Sequence, residues 1–446
     1  MIKKLFPSQA GKVKIGFWLL NPSKISRLFF YLLILFLPTQ LGKHFWPDFS
    51  FVYGLRLDYL SPTLYFTDIF ILLIFIFFLP EFFASLKKIP QKYLIVFGLF
   101  LLSLLVGLIG AKNFWAGIYG IIKFLEFSFL AYFVSQNYKS FSQKILFSCV
   151  LLSIIFESLL AFLQYFNQGS IGGIFYLFGE RTFTAETPGI ANASINGQLF
   201  LRSYATFSHP NVLAGFLVLA MLFLLLVAFK NKQLRVFVWL GIILGTSALL
   251  ITLGRSAIFL WFIYLIFLFG LWLFEKYKKH KLNPLQVSLS ILIFVGIVMI
   301  LILQNNFILQ RFLTTNLSDE SLVQRQELIT QSLNMFWKSP VLGVGINNYF
   351  NNLNFIASKE NTFLIQPVHN VFLLALSETG LVGFCLLIFI FIKSFISVFN
   401  KKQIRKYLLL AIFAIIFLGL FDHYFFTLQQ GQLLLSLVLG ISFAKS

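Results

Sequence analysis

The stretch LLITLGRSAIFLWF, residues 249–262, places one arginine, Arg255, in the middle of a long apolar run. Between Leu234 and Phe274 the only other charged side chain is Arg235, at the start of the run. An α-helix crosses the hydrocarbon core of a membrane with about 20 apolar residues, so the run is long enough for about two spans. Gly254 and Arg255 then form the turn between these spans, and Arg255 lies at a membrane interface, where a charge costs less than at the bilayer centre.

A turn of this kind does not require a cation, because serine or asparagine would form it at lower cost. We therefore expect Arg255 to bind an anion. The alternative is a salt bridge with a carboxylate of a neighbouring loop, for which the sequence offers Glu180, Glu186 and Glu360.

The rest of the chain has the same apolar character. Of its 446 residues, 59% are hydrophobic and 11% are charged, and 60 are phenylalanine, whereas soluble domains carry about 25% charged residues. This composition predicts an all-α, polytopic integral membrane protein. A β-barrel is disfavoured because the apolar runs are continuous. The net charge of +20 does not indicate nucleic-acid binding, because the basic residues are concentrated in short loops between apolar runs.

We predict about twelve transmembrane helices in a single membrane domain that covers residues 1–446. They lie near residues 26–42, 62–84, 92–110, 114–136, 143–166, 210–229, 234–253, 256–274, 285–304, 369–392, 405–421 and 424–443. Lysine and arginine are concentrated in alternate loops, which the positive-inside rule assigns to the cytoplasm. With an even number of spans, both termini are then cytoplasmic.

Two longer loops are predicted on the extracytoplasmic side, at residues 167–209 and 305–368. The first contains the polar tract ETPGIANASING. The second contains an amphipathic helix near residues 319–337, whose acidic start suits the positive end of a helix dipole. The sequence PVLGVGINNYF follows that helix as a tight glycine turn.

Three polar clusters lie on the extracytoplasmic side in this topology. The first, LRSYATFSHPNVLAGF (residues 201–216), contains Arg202 and His209 beside the sixth span. Arg202 is a candidate anion ligand, with an arginine that extends to the membrane surface as the alternative. His209 is either a helix cap or part of a site. The second cluster is the segment around Arg255, and Arg325 in the amphipathic helix is a further candidate, with a solvated helix face as the alternative.

The third cluster, QPVHNVFLLALSETGLVGF (residues 366–384), places His369 and Asn370 at the start of the tenth span. An imidazole at a membrane interface can accept a proton near neutral pH. His369 is therefore a candidate general base, with a helix cap as the alternative. Glu378 lies about 180° around an unbroken helix from His369, and Gly380 indicates either a break or close helix packing.

Several kinds of site are missing from the sequence. It contains no GxxxxGK[ST] phosphate loop, no cluster with metal-ligand spacing and no GxSxG motif. We therefore predict neither ATP-driven transport nor a metal site or another cofactor. Arginines and one base at a single membrane interface suit a lipid-linked diphosphate, because a planar guanidinium can bind two oxygens at once.

The chain resembles the O-antigen ligase and O-antigen polymerase family. The resemblance rests on RSYATFSHPNVLAGF, TLGRSAIF, the run from Arg325 through PVLGVGINNYF, and HNVFLLALSETGLVGF, which occur in the family's order and cover roughly residues 195–390. It implies a fold similar to C-type glycosyltransferases in the cytoplasmic (inner) membrane of a bacterium. It also implies metal-independent transfer of a glycan from undecaprenyl diphosphate to an acceptor on the outer face.

The resemblance assigns roles to the same residues. Arg202 and Arg255 would bind the diphosphate, His369 of the HN pair would activate the acceptor hydroxyl, and Arg325 would contact donor or acceptor. His209 and Asn370 are further substrate-binding candidates in the matching stretches. The acceptor stays open between lipid A core, a growing polysaccharide and a protein hydroxyl, so a ligase and a polymerase are not separated. A transporter or flippase of lipid-linked oligosaccharides is the alternative function, and a membrane scaffold is a third.

Overall fold

The structure is a computed structural model that describes residues 21–195, 198–228, 234–279, 320–353, 365–401 and 404–444. These residues form α1 (Pro22–Leu35), α2 (Phe66–Leu86), α3 (Gln91–Gly107), α4 (Phe114–Asn137), α5 (Gln143–Asn167), α6 (Pro210–Ala228), α7 (Arg235–Ile251), α8 (Arg255–Lys278), α9 (Glu320–Lys338), α10 (Val371–Phe399), α11 (Arg405–Gly419), α12 (Tyr424–Thr427) and α13 (Gln429–Phe443). Short 3-10 turns lie at Asp48–Ser50, Tyr138–Ser140, Gly173–Phe178 and Phe350–Asn352.

Among the described residues, five helices are long and apolar enough to cross a membrane: α2, α4, α5, α8 and α10. Helices α3, α6 and α7 are apolar but shorter. The chain is thus a mostly helical integral membrane protein. The count of twelve spans stays a prediction, and the predicted ninth span, residues 285–304, lies outside the described residues, as do residues 305–319 and 354–364 of the second predicted loop.

Three short antiparallel strand pairs depart from the all-α expectation. They pair β1 (Gly42–His44) with β4 (Thr63–Tyr65), β2 (Phe51–Val52) with β3 (Leu55–Arg56), and β5 (Asn192–Ile195) with β6 (Gln198–Leu201). Strand β4 occupies the start of the predicted second span, so that α2 begins at Phe66. Thr63 and Tyr65 are residue types that suit a strand, and Pro62 before them favours an extended start.

The predicted twelfth span is two helices, because Leu428 between α12 and α13 is extended (φ −116°, ψ 137°). Helix α13 then packs against α4, while α1 packs on α2 and α7 packs on α5 and α6. Gln429, the first residue of α13, donates from Nε2 to Thr67 Oγ1 at 2.9 Å and to Asp68 Oδ1. These contacts anchor α13 to α2 at the end of the bundle where α13 begins.

Charged side chains inside the bundle have partners. Lys123 Nζ lies 3.0 Å from Asp68 Oδ1 and 2.8 Å from Glu126 Oε2. The Glu157 carboxylate accepts hydrogen bonds from the backbone amide and the hydroxyl of Thr206, at 3.0 and 2.9 Å. An unpaired buried charge is strongly destabilising. These contacts therefore explain how the bundle accommodates the charged groups of Asp68, Lys123, Glu126 and Glu157.

Helix α10 is broken at Gly380, which has φ 60° and ψ −161°. A Cβ atom at Gly380 would lie 2.3 Å from the carbonyl oxygen of Val341. The backbone at Val341 therefore approaches position 380 more closely than a residue with a side chain allows. Of the two alternatives for Gly380, the structure shows a break. Glu378, just before the break, accepts a hydrogen bond from the backbone amide of Tyr349 at 3.1 Å and holds the glycine turn against α10.

Candidate active site

Four chain segments meet at one end of the bundle: the start of α6, the turn between α7 and α8, the start of α10, and the turn between α11 and α12. Arg202 is buried at this meeting point, 8% exposed. Its Nε donates to the Thr252 carbonyl at 2.8 Å, and its Nη2 donates to Asn211 Oδ1 at 2.5 Å. Asn211 Nδ2 in turn donates to Asp422 Oδ2 at 2.7 Å. A continuous chain of hydrogen bonds therefore joins Arg202 to Asp422.

Asp422 lies between two histidines. Its Oδ1 is 3.7 Å from His369 Nδ1 and 3.9 Å from His423 Nε2, and the two imidazole rings are 5.2 Å apart between centroids. Both separations suit ion pairs but exceed a hydrogen bond. The same Oδ1 accepts a hydrogen bond from the His423 backbone amide at 2.8 Å, which fixes the carboxylate towards the rings.

The far side of each ring is also held by an oxygen. His369 Nε2 lies 3.2 Å from Gln366 Oε1, and His423 Nδ1 lies 2.6 Å from Thr427 Oγ1. Second partners of this kind set the orientation of a histidine ring and select its tautomer. Both imidazoles are therefore oriented from both sides.

The charges of this group act on one another. Burial alone would raise the pKa of the Asp422 carboxyl, but the imidazoles of His369, His423 and His209 hold it well below its ordinary value. Burial lowers the pKa of His423 to about 3, against the opposing effect of Asp422. Burial, reinforced by Arg202, likewise lowers the pKa of His209 to about 3. Asp422 therefore favours its charged form, chiefly through His369, whereas burial favours the neutral forms of His209 and His423.

A cavity of about 1630 Å³ lies beside the group. Its polar wall includes His209, Gln366, His369, Asp422 and Arg181, and its apolar part continues between α4, α10 and α13. The cavity therefore connects the histidines with a space that is lined by apolar side chains.

Two of the predicted cations, Arg255 and Arg325, are not among the described residues that line the cavity. Arg255 is the first residue of α8, and no salt bridge to it occurs among the described residues. Glu180, one of the alternatives for Arg255, instead accepts from Gln164 Nε2 and from the amide of Ile171, both at 2.8 Å. Glu360 lies outside the described residues.

Arg325 lies on α9, which runs from Glu320 to Lys338 and packs on α10. Burial lowers the pKa of the Arg325 guanidinium, Asp422 raises it and Arg255 lowers it further. Because Asp422 and Arg255 both act on it, Arg325 belongs to the same electrostatic group.

Asn370 and His209 both cap helices. Asn370 Oδ1 accepts from the amides of Phe372 and Leu373 at 2.9 and 3.0 Å, and its Nδ2 donates to the Leu420 carbonyl at 3.2 Å. His209 Nδ1 accepts from the Asn211 amide at 3.1 Å. The cap alternative for His209 is therefore seen, and His209 lines the cavity as well. The substrate-binding roles predicted for both residues stay predictions.

Sequence reasoning gave too little weight to Asp422, His423, Asn211 and Arg181. From the sequence, Asp422 and His423 are only weaker candidates, because loop chemistry alone explains two polar residues in the turn before the last predicted span. In the predicted topology they nevertheless stand at the same membrane interface as the HN pair. An ionisable pair directly at the end of an apolar span is the signal that could have identified them. Arg181, which lines the cavity, has no such signal because it stands in a long polar loop.

Residues 240–388 match the family model described as O-antigen ligase. This match supports membership of the O-antigen ligase and polymerase family. The O-antigen ligase match includes Arg255, Arg325 and His369, whereas Arg202 precedes it and Asp422 follows it. The resemblance recognised from the motifs is thereby confirmed. No curated protein matches the chain.

Proposed function

We propose that this protein transfers a glycan from undecaprenyl diphosphate to an acceptor hydroxyl at the outer face of the cytoplasmic membrane. The observation that carries the proposal is the position of His369, in the wall of the cavity and 3.7 Å from the ionised Asp422. The match to the O-antigen ligase model supports the reaction class.

His369 acts as the general base in this proposal. A proton on Nδ1 faces Asp422, and Nε2 takes the proton of the acceptor hydroxyl. Gln366 Oε1, 3.2 Å from Nε2, marks the position where the acceptor oxygen would lie. Asp422 stabilises the imidazolium that forms, as the carboxylate does in serine-protease triads. Asp422 is thus a positioning residue that acts through His369.

The acceptor oxygen attacks the anomeric carbon of the donor sugar while the bond from that carbon to the phosphate oxygen breaks. The bonding electrons leave with the diphosphate, so negative charge develops on its oxygens. In this proposal Arg255 and Arg325 stabilise that charge, and electrostatic stabilisation of this kind is the largest contribution in many enzymes. Arg181 in the cavity wall adds a cation. Arg202, bound to Thr252 and Asn211, supports the positions of α6 and of the turn that follows α7. The apolar part of the cavity takes the polyprenyl chain.

A transporter of lipid-linked oligosaccharides is less well supported. A transporter needs charged groups along a path that opens to each side in turn. The core charges Lys123, Asp68 and Glu126 are instead paired with one another, and the remaining arginines and histidines of the site gather at one end of the bundle.

The test uses the full chain in proteoliposomes that contain an undecaprenyl-diphosphate glycan and a panel of acceptors. We expect new glycosidic product from the wild type and a loss of about 10² to 10⁴ in kcat for His369→Gln, the range that a general base contributes. His44→Gln is the matched control, because His44 lines the same cavity in β1. Movement of the donor across the bilayer without a new glycosidic bond would support the transporter, and full activity of His369→Gln would refute the base assignment.

A further inference from the structure

The two histidines beside Asp422 each turn one ring nitrogen towards its carboxylate: His369 Nδ1 is 3.7 Å and His423 Nε2 is 3.9 Å from Asp422 Oδ1. The opposite nitrogen of each ring contacts an oxygen, because His423 Nδ1 lies 2.6 Å from Thr427 Oγ1 and His369 Nε2 lies 3.2 Å from Gln366 Oε1. When these opposite nitrogens donate to the two oxygens, His369 Nδ1 and His423 Nε2 each have a lone pair for a cation.

Three side chains that can act as metal ligands thus converge at one point. His369 Nδ1 is buried and has no hydrogen-bond partner among the described residues, and one donor atom each from His369, Asp422 and His423 lie within 4.8 Å of one another. In that tautomer two nitrogen lone pairs face the carboxylate, and a cation between them stabilises the arrangement. A proton on His369 Nδ1, as the proposed base mechanism uses, is one such cation, and a metal ion is another.

We propose that His369, Asp422 and His423 bind a divalent transition-metal ion of the zinc class, and that its binding inhibits glycan transfer. Two imidazole nitrogens and one carboxylate, with a fourth position open to the cavity, form a common ligand set for Zn²⁺. Magnesium and calcium prefer sites made of oxygen ligands. Ligand atoms of tetrahedral zinc lie about 3.4 Å apart, so small side-chain rotations close the site.

The surroundings fit a metal site. Metal-binding histidines almost always donate their second ring nitrogen to an oxygen, which fixes the tautomer. Gln366 and Thr427 supply these two oxygens, and Asn211 Nδ2 holds the second oxygen of Asp422 at 2.7 Å. The cavity that His369, Asp422 and His423 line provides an entry path.

Inhibition rests on the proposed function and follows from the tautomer. Transfer needs the lone pair of His369 on Nε2, towards the acceptor. A metal on Nδ1 holds the proton on Nε2, and the ring then has no site for the acceptor proton. Metal binding and base catalysis therefore require different tautomers of one histidine.

The test measures metal binding and transfer separately on the full-length protein in detergent. Zn²⁺ is titrated against a chromophoric chelator, and Co²⁺ is used as a spectroscopic probe of nitrogen ligands. We expect about one Zn²⁺ per chain and loss of this binding in His423→Gln. In Thr427→Val, which removes only the oxygen that contacts His423 Nδ1, the affinity should be about 10-fold to 100-fold weaker. His44→Gln is the matched control and binds as the wild type does.

Transfer is then assayed with Zn²⁺ and after chelation. We expect Zn²⁺ to inhibit transfer by the wild type and chelation to restore it. In His423→Gln and Thr427→Val, the transfer rate with Zn²⁺ should be closer to the rate after chelation. Equal Zn²⁺ binding by the wild type and Thr427→Val, with His423→Gln unchanged, would overturn the site. Binding with stimulation of transfer would overturn the inhibition. Binding without any transfer by the wild type would leave the metal site standing and count against the proposed function.

Discussion

Asp422 accepts hydrogen bonds from Asn211 and from the His423 amide, and it faces the ring of His369. If it acts through His369, then Asp422→Asn removes the charge that stabilises the imidazolium but keeps the shape of the side chain. We expect kcat to fall by about 10² to 10⁴, with the KM for the lipid donor little changed. Steady-state kinetics in proteoliposomes measures both.

Asp58→Asn is the matched control, because Asp58 is an exposed carboxylate on the wall of the same cavity. Its kcat should stay within about 2-fold of the wild-type value, because the charge of an exposed side chain is screened by solvent and salt. A purely structural role of Asp422 would instead lower the amount of folded protein and raise KM together with the loss of kcat.

At the scale of the helix, the break in α10 is the feature on which the glycine turn depends. Ala at position 380 would adopt φ 60° and ψ −161°, a backbone conformation that costs a residue with a side chain about 1 to 3 kcal/mol. Its Cβ would also lie 2.3 Å from the Val341 carbonyl oxygen. We expect Gly380→Ala to lower the thermal unfolding midpoint in detergent. It should also reduce transfer, because Glu378 lies on the half of α10 before the break and His369 directly precedes that half.

Gly270→Ala provides the comparison. Gly270 lies within α8, and a Cβ there meets nothing within 4 Å. Alanine has the higher helix propensity, by about 1 kcal/mol, so the unfolding midpoint should stay level or rise. If both variants were equally stable, the break at Gly380 would not be required by packing.

The helices themselves were largely predictable from sequence, because their apolar length is set by the membrane. The predicted span 143–166 and α5 (Gln143–Asn167) differ by one residue. The predicted amphipathic helix 319–337 and α9 (Glu320–Lys338) differ by one residue at each end. The break at Leu428 was not predictable, because it depends on contacts of Gln429 with Thr67 and Asp68, more than 360 residues earlier in the chain.

The candidate site was predictable only in part, because it too depends on contacts between residues that are far apart in the sequence. Arg255 and His369 stand out because each interrupts or opens an apolar run. The bonds that organise the site join Arg202 to Thr252 and Asn211 to Asp422, and no periodicity in the sequence indicates such pairs. A carboxylate in a turn has many local explanations, so Asp422 becomes informative only when its neighbours in space are known.

At the scale of the whole molecule, the proposed reaction requires the site to open on the side opposite the lysine-rich loops. In that topology, the loop containing Glu186 is extracytoplasmic and the turn containing Ser140 is cytoplasmic; both residues are exposed. In a background with Cys149→Ser and Cys385→Ser, we expect a membrane-impermeant maleimide to label Glu186→Cys on intact spheroplasts. Ser140→Cys should be labelled only after permeabilisation, because the positive-inside rule assigns Lys139 and Lys144 to the cytoplasm. Labelling of both positions from outside would contradict the predicted topology, whereas the reverse pattern would put the histidines and arginines on the cytoplasmic side and exclude transfer at the outer face.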